Sequence, residues 1–133
     1  GPGWSSTMNI RTVINSIQGL VMNETPIINE PAYENTTLDN KVNYNYYVEY
    51  HSIDYALCNQ LLNIHQHQPF DKIKDKLISY FLKYSDKLLA RLDKLIETRQ
   101  LEPVNCVYVG AHDKYDYVKL KEKVIDMIGK ISK

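Results

Sequence analysis

"FDKIKDKLISYFLKYSDKLLARLDKLIETR", residues Phe70 to Arg99, decides the fold class. Ile73, Leu77, Ile78, Phe81, Leu82, Leu88, Leu89, Leu92, Leu95 and Ile96 recur at the spacing that lines one side of an α-helix. Lys and Asp alternate among them, the pattern of a solvated helical face rather than of a nucleic-acid groove. The run exceeds the usual helix of about 11–12 residues. A break is therefore expected at Tyr84-Ser85-Asp86, where Ser and Asp compete for backbone hydrogen bonds. The heptads are not sustained, so a coiled coil is the weaker alternative.

Toward the N-terminus, "YNYYVEYHSIDYALCNQLLNI" (Tyr44–Ile64) reads as a second helix. Tyr44, Tyr47, Val48, His51, Tyr55, Cys58 and Leu62 share one face, and Tyr46, Tyr50, Ile53, Leu57, Leu61 and Ile64 an adjacent one. So broad an apolar surface predicts a helix covered on most sides. The tyrosines are expected to span the core boundary, rings inside and hydroxyls wet. "NETPIINEPAYENTTLDNKVN" (Asn23–Asn43) reads as a long loop. Pro26 and Pro31 remove donors, and Asn35, Thr36, Thr37, Asp39 and Asn40 favour turns.

Before it, Ile10, Val13, Ile14, Ile17, Leu20 and Val21 form one stripe of a helix over about Met8 to Met22. Ser5, Ser6 and Thr7 are its candidate caps. Gly19 would lower helix propensity and allow close packing. Arg11, Asn15 and Gln18 lie away from the stripe. Toward the C-terminus, "NCVYV" (Asn105–Val109) reads as extended chain packed on the helices, because a lone strand has no partner. A last helix is predicted from about Tyr115 to Ile131, with Leu120, Val124, Met127, Ile128 and Ile131 as its stripe. The fold class is mainly α, and three or more strands in a sheet would contradict it.

Composition bounds the function. The 133 residues suit one domain with a real core, and 44% hydrophobic with 24% charged residues is an ordinary soluble balance. No apolar run reaches the ~18 residues of a membrane helix. No secretory signal is recognisable, and two cysteines make no disulfide framework, so a cytoplasmic or nuclear setting is expected. Net charge is zero but uneven: residues 1–66 carry −4 and residues 67–133 carry +4. The chain opens Gly1-Pro2, like the remnant a tag-removing protease leaves, so its start is read as not native.

The chemistry-bearing side chains each have a plain structural reading. Cys58 lies on an apolar helix face, where thiols are inert, and Cys106 sits in an apolar stretch without a neighbouring base. His65 and His67 offer two imidazoles with no third ligand nearby, so a solvated linker is expected rather than a metal site. His112 and Asp113 occupy a Gly-containing turn. The five glycines are scattered and build no phosphate loop. The tyrosines around Tyr44–Tyr50 stand in acidic sequence, which disfavours nucleic acid. No cofactor or metal is expected.

Trp4, the helix "SSTMNIRTVINSIQGLVMNE" (Ser5–Glu24) with "SIQGL" (Ser16–Leu20), and "INEPAYE" (Ile28–Glu34) together resemble the ubiquitin-conjugating enzyme family. The likeness is to the C-terminal half of its UBC domain, nearest to the large divergent members: the type Z, type O and BIR-repeat-containing enzymes. It extends more weakly through "YNYYVEYHSIDYALCNQLL", "PFDKIKDKLISYFLKYSDKLLARL" and "DKYDYVKLKEKV".

The resemblance implies residues 1–100 as the helical half of a UBC-like α+β domain and 101–133 as a helical extension. The family's sheet, its His-Pro-Asn motif and its catalytic cysteine, which lies upstream of the position of Trp4, are absent. This chain is then a fragment, inactive alone, whose parent moves ubiquitin or a ubiquitin-like protein from a cysteine thioester to a substrate lysine. A cysteine-less variant and a helical protein-interaction module are the alternatives. The implied partners are the modifier, its activating enzyme and a ligase, with no nucleic acid and no membrane. The implied donor-ubiquitin face is Arg11, Asn15 and Gln18. Asn29, Glu30, Tyr33 and Glu34 would flank the active site, where Glu30 and Glu34 could orient an incoming lysine. The stripe Ile10–Leu20, without its sheet, is expected to self-associate or to pack on the later helices.

Overall fold

The structure, a computed structural model, describes residues 9–66, 71–108 and 114–132. Trp4, Ser5, Ser6, Thr7, His67, Phe70, His112 and Asp113 fall outside them, as does the side chain of His65. In chain order come α1 (Ile10–Ser16), a π-helical turn (Ile17–Val21), two 3-10 turns (Pro26–Asn29 and Pro31–Tyr33) and α2 (Leu38–His51). A π-helical stretch (Ser52–Asn59), α3 (Gln60–Gln66), α4 (Asp71–Arg99) and α5 (Tyr117–Ile131) complete it. Extended pairing among the described residues is limited to isolated bridges such as Pro103 with Lys114, and no sheet forms among them. The fold is mainly α. Among the described residues no helix is long and apolar enough to cross a membrane.

Several boundaries differ from the sequence reading, each for a local reason. α1 is capped by Asn9, whose Oδ1 accepts from the Thr12 amide at 3.0 Å. α2 begins at Leu38 rather than near Tyr44. The Thr and Asn residues read as loop formers are its cap: Thr37 Oγ1 accepts from the Asn40 amide at 3.3 Å, and Asp39 sits favourably in the first turn. The Asn23–Asn43 stretch is thus two short 3-10 turns and a helix start, with Ile27 fully buried.

α4 runs unbroken through Tyr84-Ser85-Asp86. Ser85 Oγ donates to the Leu82 carbonyl at 2.8 Å, so the hydroxyl joins the helix instead of competing with it. Gly19 meets no neighbour: a Cβ there would have nothing within 4 Å. Its expected close packing does not occur, because α1 and its π turn bury no residue.

The core lies between α2–α3, α4 and α5. Ile53, Cys58, Leu61, Leu92, Leu95, Val104, Tyr115, Tyr117, Leu120, Val124, Met127 and Ile131 form its buried cluster. Each large aliphatic there contributes roughly 1.5–3 kcal/mol by leaving water. The π-helical stretch sets the register. Its hydrogen bonds skip five residues rather than four, which lines up Ile53 with Cys58. A regular helix would have paired Cys58 with Tyr55, and Tyr55 instead faces solvent.

The segment after α4 returns along the core as extended chain, with Val104 and Cys106 buried. It is held by the Leu101 amide donating to the Tyr115 carbonyl at 3.1 Å. Charged clamps tie the elements together. The Arg91 guanidinium grips Glu49 with two bonds of 2.7 and 2.9 Å between α4 and α2. Lys123 joins α5 to Asp54, and Lys121 joins it to Asp93.

Candidate functional site

Among the described residues a concavity with a mixed lining lies where the first helix ends against α2. It encloses about 500 Å³ between Val21, Met22, Asn23, Pro26, Asn29, Glu30, Tyr44 and Val48. Its geometry begins with an asparagine clasp. Asn29 Nδ2 donates to the Val21 carbonyl at 2.8 Å, and its Oδ1 accepts from Asn23 Nδ2 at 3.1 Å. Asn23 in turn accepts the Thr25 amide at 2.8 Å and donates to the Leu20 carbonyl at 3.2 Å. The clasp fixes the end of the π turn to the 3-10 turn Pro26–Asn29. A second tie, Asn45 Nδ2 to the Glu24 carbonyl at 2.9 Å, holds that loop on α2.

Tyr44 is the aromatic residue of this lining, and a cluster of rings extends from it. Tyr44 stacks on Tyr47, with ring centres 5.8 Å apart, and Tyr108 covers both at 5.5 and 6.3 Å. Tyr33 meets Tyr108 edge-on. The column continues through His51, 4.8 Å from Tyr47, to Tyr50, which stacks on Tyr115 at 4.2 Å and 13°. Such pairs add about 0.5–1.5 kcal/mol each beyond burial. The Tyr44 hydroxyl is held above its ordinary pKa by burial first, then by Tyr108 and the Glu30 carboxylate. It therefore stays protonated at neutral pH.

Cys58 lies away from this cavity, buried in the core. Burial pushes its thiol up to about 11, against a smaller downward pull from Lys123 and an upward push from Asp54. The thiolate, the form that attacks or ligates, is thus suppressed. Cys106 is also buried. Among the described residues no three His, Cys, Asp or Glu side chains gather to hold a metal.

The residues singled out from the sequence part company here. Asn29 and Glu30 line the cavity, whereas Tyr33 does not and meets Tyr108, whose ring lies against Tyr44. Glu34 is exposed on the turn beyond. Arg11 and Asn15 on α1 and Gln18 on the π turn are exposed and do not line the cavity. Asn29 spends both ends of its amide on the clasp, which makes it a positioning residue.

Sequence reasoning did not assign Val21, Met22, Asn23, Pro26 and Val48 to one wall. The four-residue spacing of Tyr44 and Val48 on α2 was the signal available for part of it. Chemically the cavity offers aliphatic walls, one carboxylate, two asparagine amides and one tyrosine ring. No protein-family model matches this chain, and no curated protein does.

Proposed function

We propose that the chain is the C-terminal, helical half of a ubiquitin-conjugating domain. Its parent carries ubiquitin, or a ubiquitin-like protein, as a cysteine thioester and passes it to a substrate lysine. In this reading the parent works with an activating enzyme and a ligase in the cytoplasm or nucleus, and this chain alone is inactive.

The observation that carries the reading is the unpartnered stripe of the first helix. Ile10, Val13, Ile14, Ile17, Leu20 and Val21 all face solvent. This is the helix whose sequence resembles the one that lies over the family's sheet. Arg11, Asn15 and Gln18 are then the face that holds the donor, free for a partner on the exposed side of that helix.

The test is charging. With ubiquitin, ATP and activating enzyme, this chain should give no reducible adduct, because acyl transfer needs an accessible thiolate and Cys58 is buried with a raised pKa. A parent carrying His-Pro-Asn and a cysteine upstream of Trp4 should charge. In it Asn15→Arg or Gln18→Arg should slow discharge to lysine more than charging. An upstream sequence without that cysteine would leave a cysteine-less relative instead.

A second reading, a helical interaction module, has its own support: the α2–α5 core closes without any buried residue from α1. An adduct on this chain that Cys58→Ser or Cys106→Ser abolishes would sink both.

A further inference from the structure

α4 carries an apolar surface that the core does not use. Ile73, Leu77, Tyr80 and Tyr84 are 49%, 38%, 68% and 37% exposed. Spaced four, three and four residues apart, they form one line along the helix. That is the spacing of a helix–helix seam. Helical geometry sets Lys76, Lys83 and Lys87 along one edge of this ridge, and the half-buried Phe81 and Leu88 along the other. Asp75 and Asp86 lie round the helix, away from it.

The ridge is locally organised. The Tyr80 and Tyr84 rings meet at 4.9 Å, and the ammonium groups of Lys83 and Lys87 each stand 5.4 Å from the centre of the Tyr84 ring. Among the described residues these three lysines have no carboxylate partner. Arg91, Arg99, Lys119, Lys121, Lys123 and Lys130 each do.

From this juxtaposition we infer that the ridge Ile73–Leu77–Tyr80–Tyr84 docks an amphipathic helix of a partner protein. The partner's apolar seam lies on the ridge, and its carboxylates lie along the edge that faces Lys76, Lys83 and Lys87. Charge selects this occupant over a second copy of the chain. Two α4 helices packed antiparallel would set one lysine edge against the other. The unpartnered α1 and its π turn cannot supply the carboxylates, since Arg11 is the one charged residue between Ile10 and Val21. The inference is independent of the transfer chemistry proposed above.

The probes are two designed helical peptides with the same leucine seam, one flanked by glutamates and one by lysines, and separately phosphatidylserine vesicles. Each is titrated into the isotope-labelled full chain while amide shifts are followed. The glutamate peptide should shift the amides of residues 73–87 and bind at least about tenfold more tightly than the lysine peptide. Lys83→Glu with Lys87→Glu should reverse the preference. Leu77→Ala with Tyr80→Ala should abolish binding while the circular dichroism of these exposed-site variants stays that of the original chain. Equal binding of the two peptides, or shifts confined to α1, would overturn the inference. So would vesicle binding through residues 73–87 while both peptides leave them unmoved, or a dimer in sedimentation that the Leu77 and Tyr80 substitutions dissolve.

Discussion

Leu101 is the described non-glycine residue with a left-handed backbone, at φ 56°. It sits just past the end of α4, where glycine is usual because a Cβ crowds the following carbonyl. Its amide still reaches the Tyr115 carbonyl, so the strain is tolerated for the turn it makes. Leu101→Gly should raise stability by about 1 kcal/mol, read as a higher urea midpoint with unchanged slope.

Cys58 makes the second residue-scale prediction. Its folded pKa is raised from 9.0 to about 11. The unfolded thiol therefore loses its proton first, and the stability this gives is full below pH 9.0 and lost as pH rises toward 11. The loss amounts to about 2–3 kcal/mol. Cys58→Ala should flatten that part of the alkaline profile, and a thiol reagent at neutral pH should label Cys58 far more slowly than free cysteine. The burial of Cys58 was legible in its apolar neighbours. The conformation of Leu101 was not, because nothing local distinguishes a leucine that closes a turn from one that packs.

At the scale of elements, the helices were legible and their seams were not. Periodicity placed the stripes of α4 and α5, since burial repeats with the helical turn. It misassigned the faces around Cys58, because a π-helical stretch inserts an offset that a 3.6-residue wheel cannot represent. It also merged two surfaces of α4. The wheel marks Ile73 and Leu77 as apolar, but only the fold reveals that the core ends before them.

The start of α5 depends on a residue sixteen positions away from its cap. Gln100 Oε1 accepts the Tyr117 and Val118 amides at 2.9 and 3.3 Å, and Gln100 Nε2 donates to Asp116 Oδ1 at 2.9 Å. Gln100→Ala should fray the first turn of α5 and cost about 1–2 kcal/mol, with faster amide exchange at Tyr117 and Val118. Asp116 is held below 3.8 by the Gln100 hydrogen bond first, then by the Lys119 amide. That contribution is present above pH 3.8 and lost as pH falls through the folded value, so acid should loosen the same turn. In Gln100→Ala this acid sensitivity should shrink.

The whole molecule divides into a closed core and an appended helix. α1 and its π turn bury nothing, and the asparagine clasp ties their end to the next loop. A chain beginning at Glu24 should keep the melting transition of the full chain to within a few degrees. The full chain should associate through Ile10, Val13, Ile14, Ile17 and Leu20 as its concentration rises, and Ile14→Lys should abolish the association. Light scattering or sedimentation decides it: a strict monomer with that stripe exposed refutes the expectation. Met22, Asn23, Pro26, Tyr80 and Tyr84 carried no signal in the sequence for the cavity or the ridge they join. Their assembly depends on contacts between distant segments, which a local pattern does not carry.

The tyrosine column also gives the molecule an optical signature. Of its aromatic residues eleven are tyrosines and one is a tryptophan. Tyr50 and Tyr115, nearly parallel at 4.2 Å, stand close enough for their transitions to couple. The near-ultraviolet circular dichroism should therefore be dominated by tyrosine. Their partners belong to α2 and to the segment before α5, so the band reports how those two distant stretches dock. Under mild acid or denaturant it should collapse while the far-ultraviolet helical signal persists, marking a state that has kept its helices and lost their register.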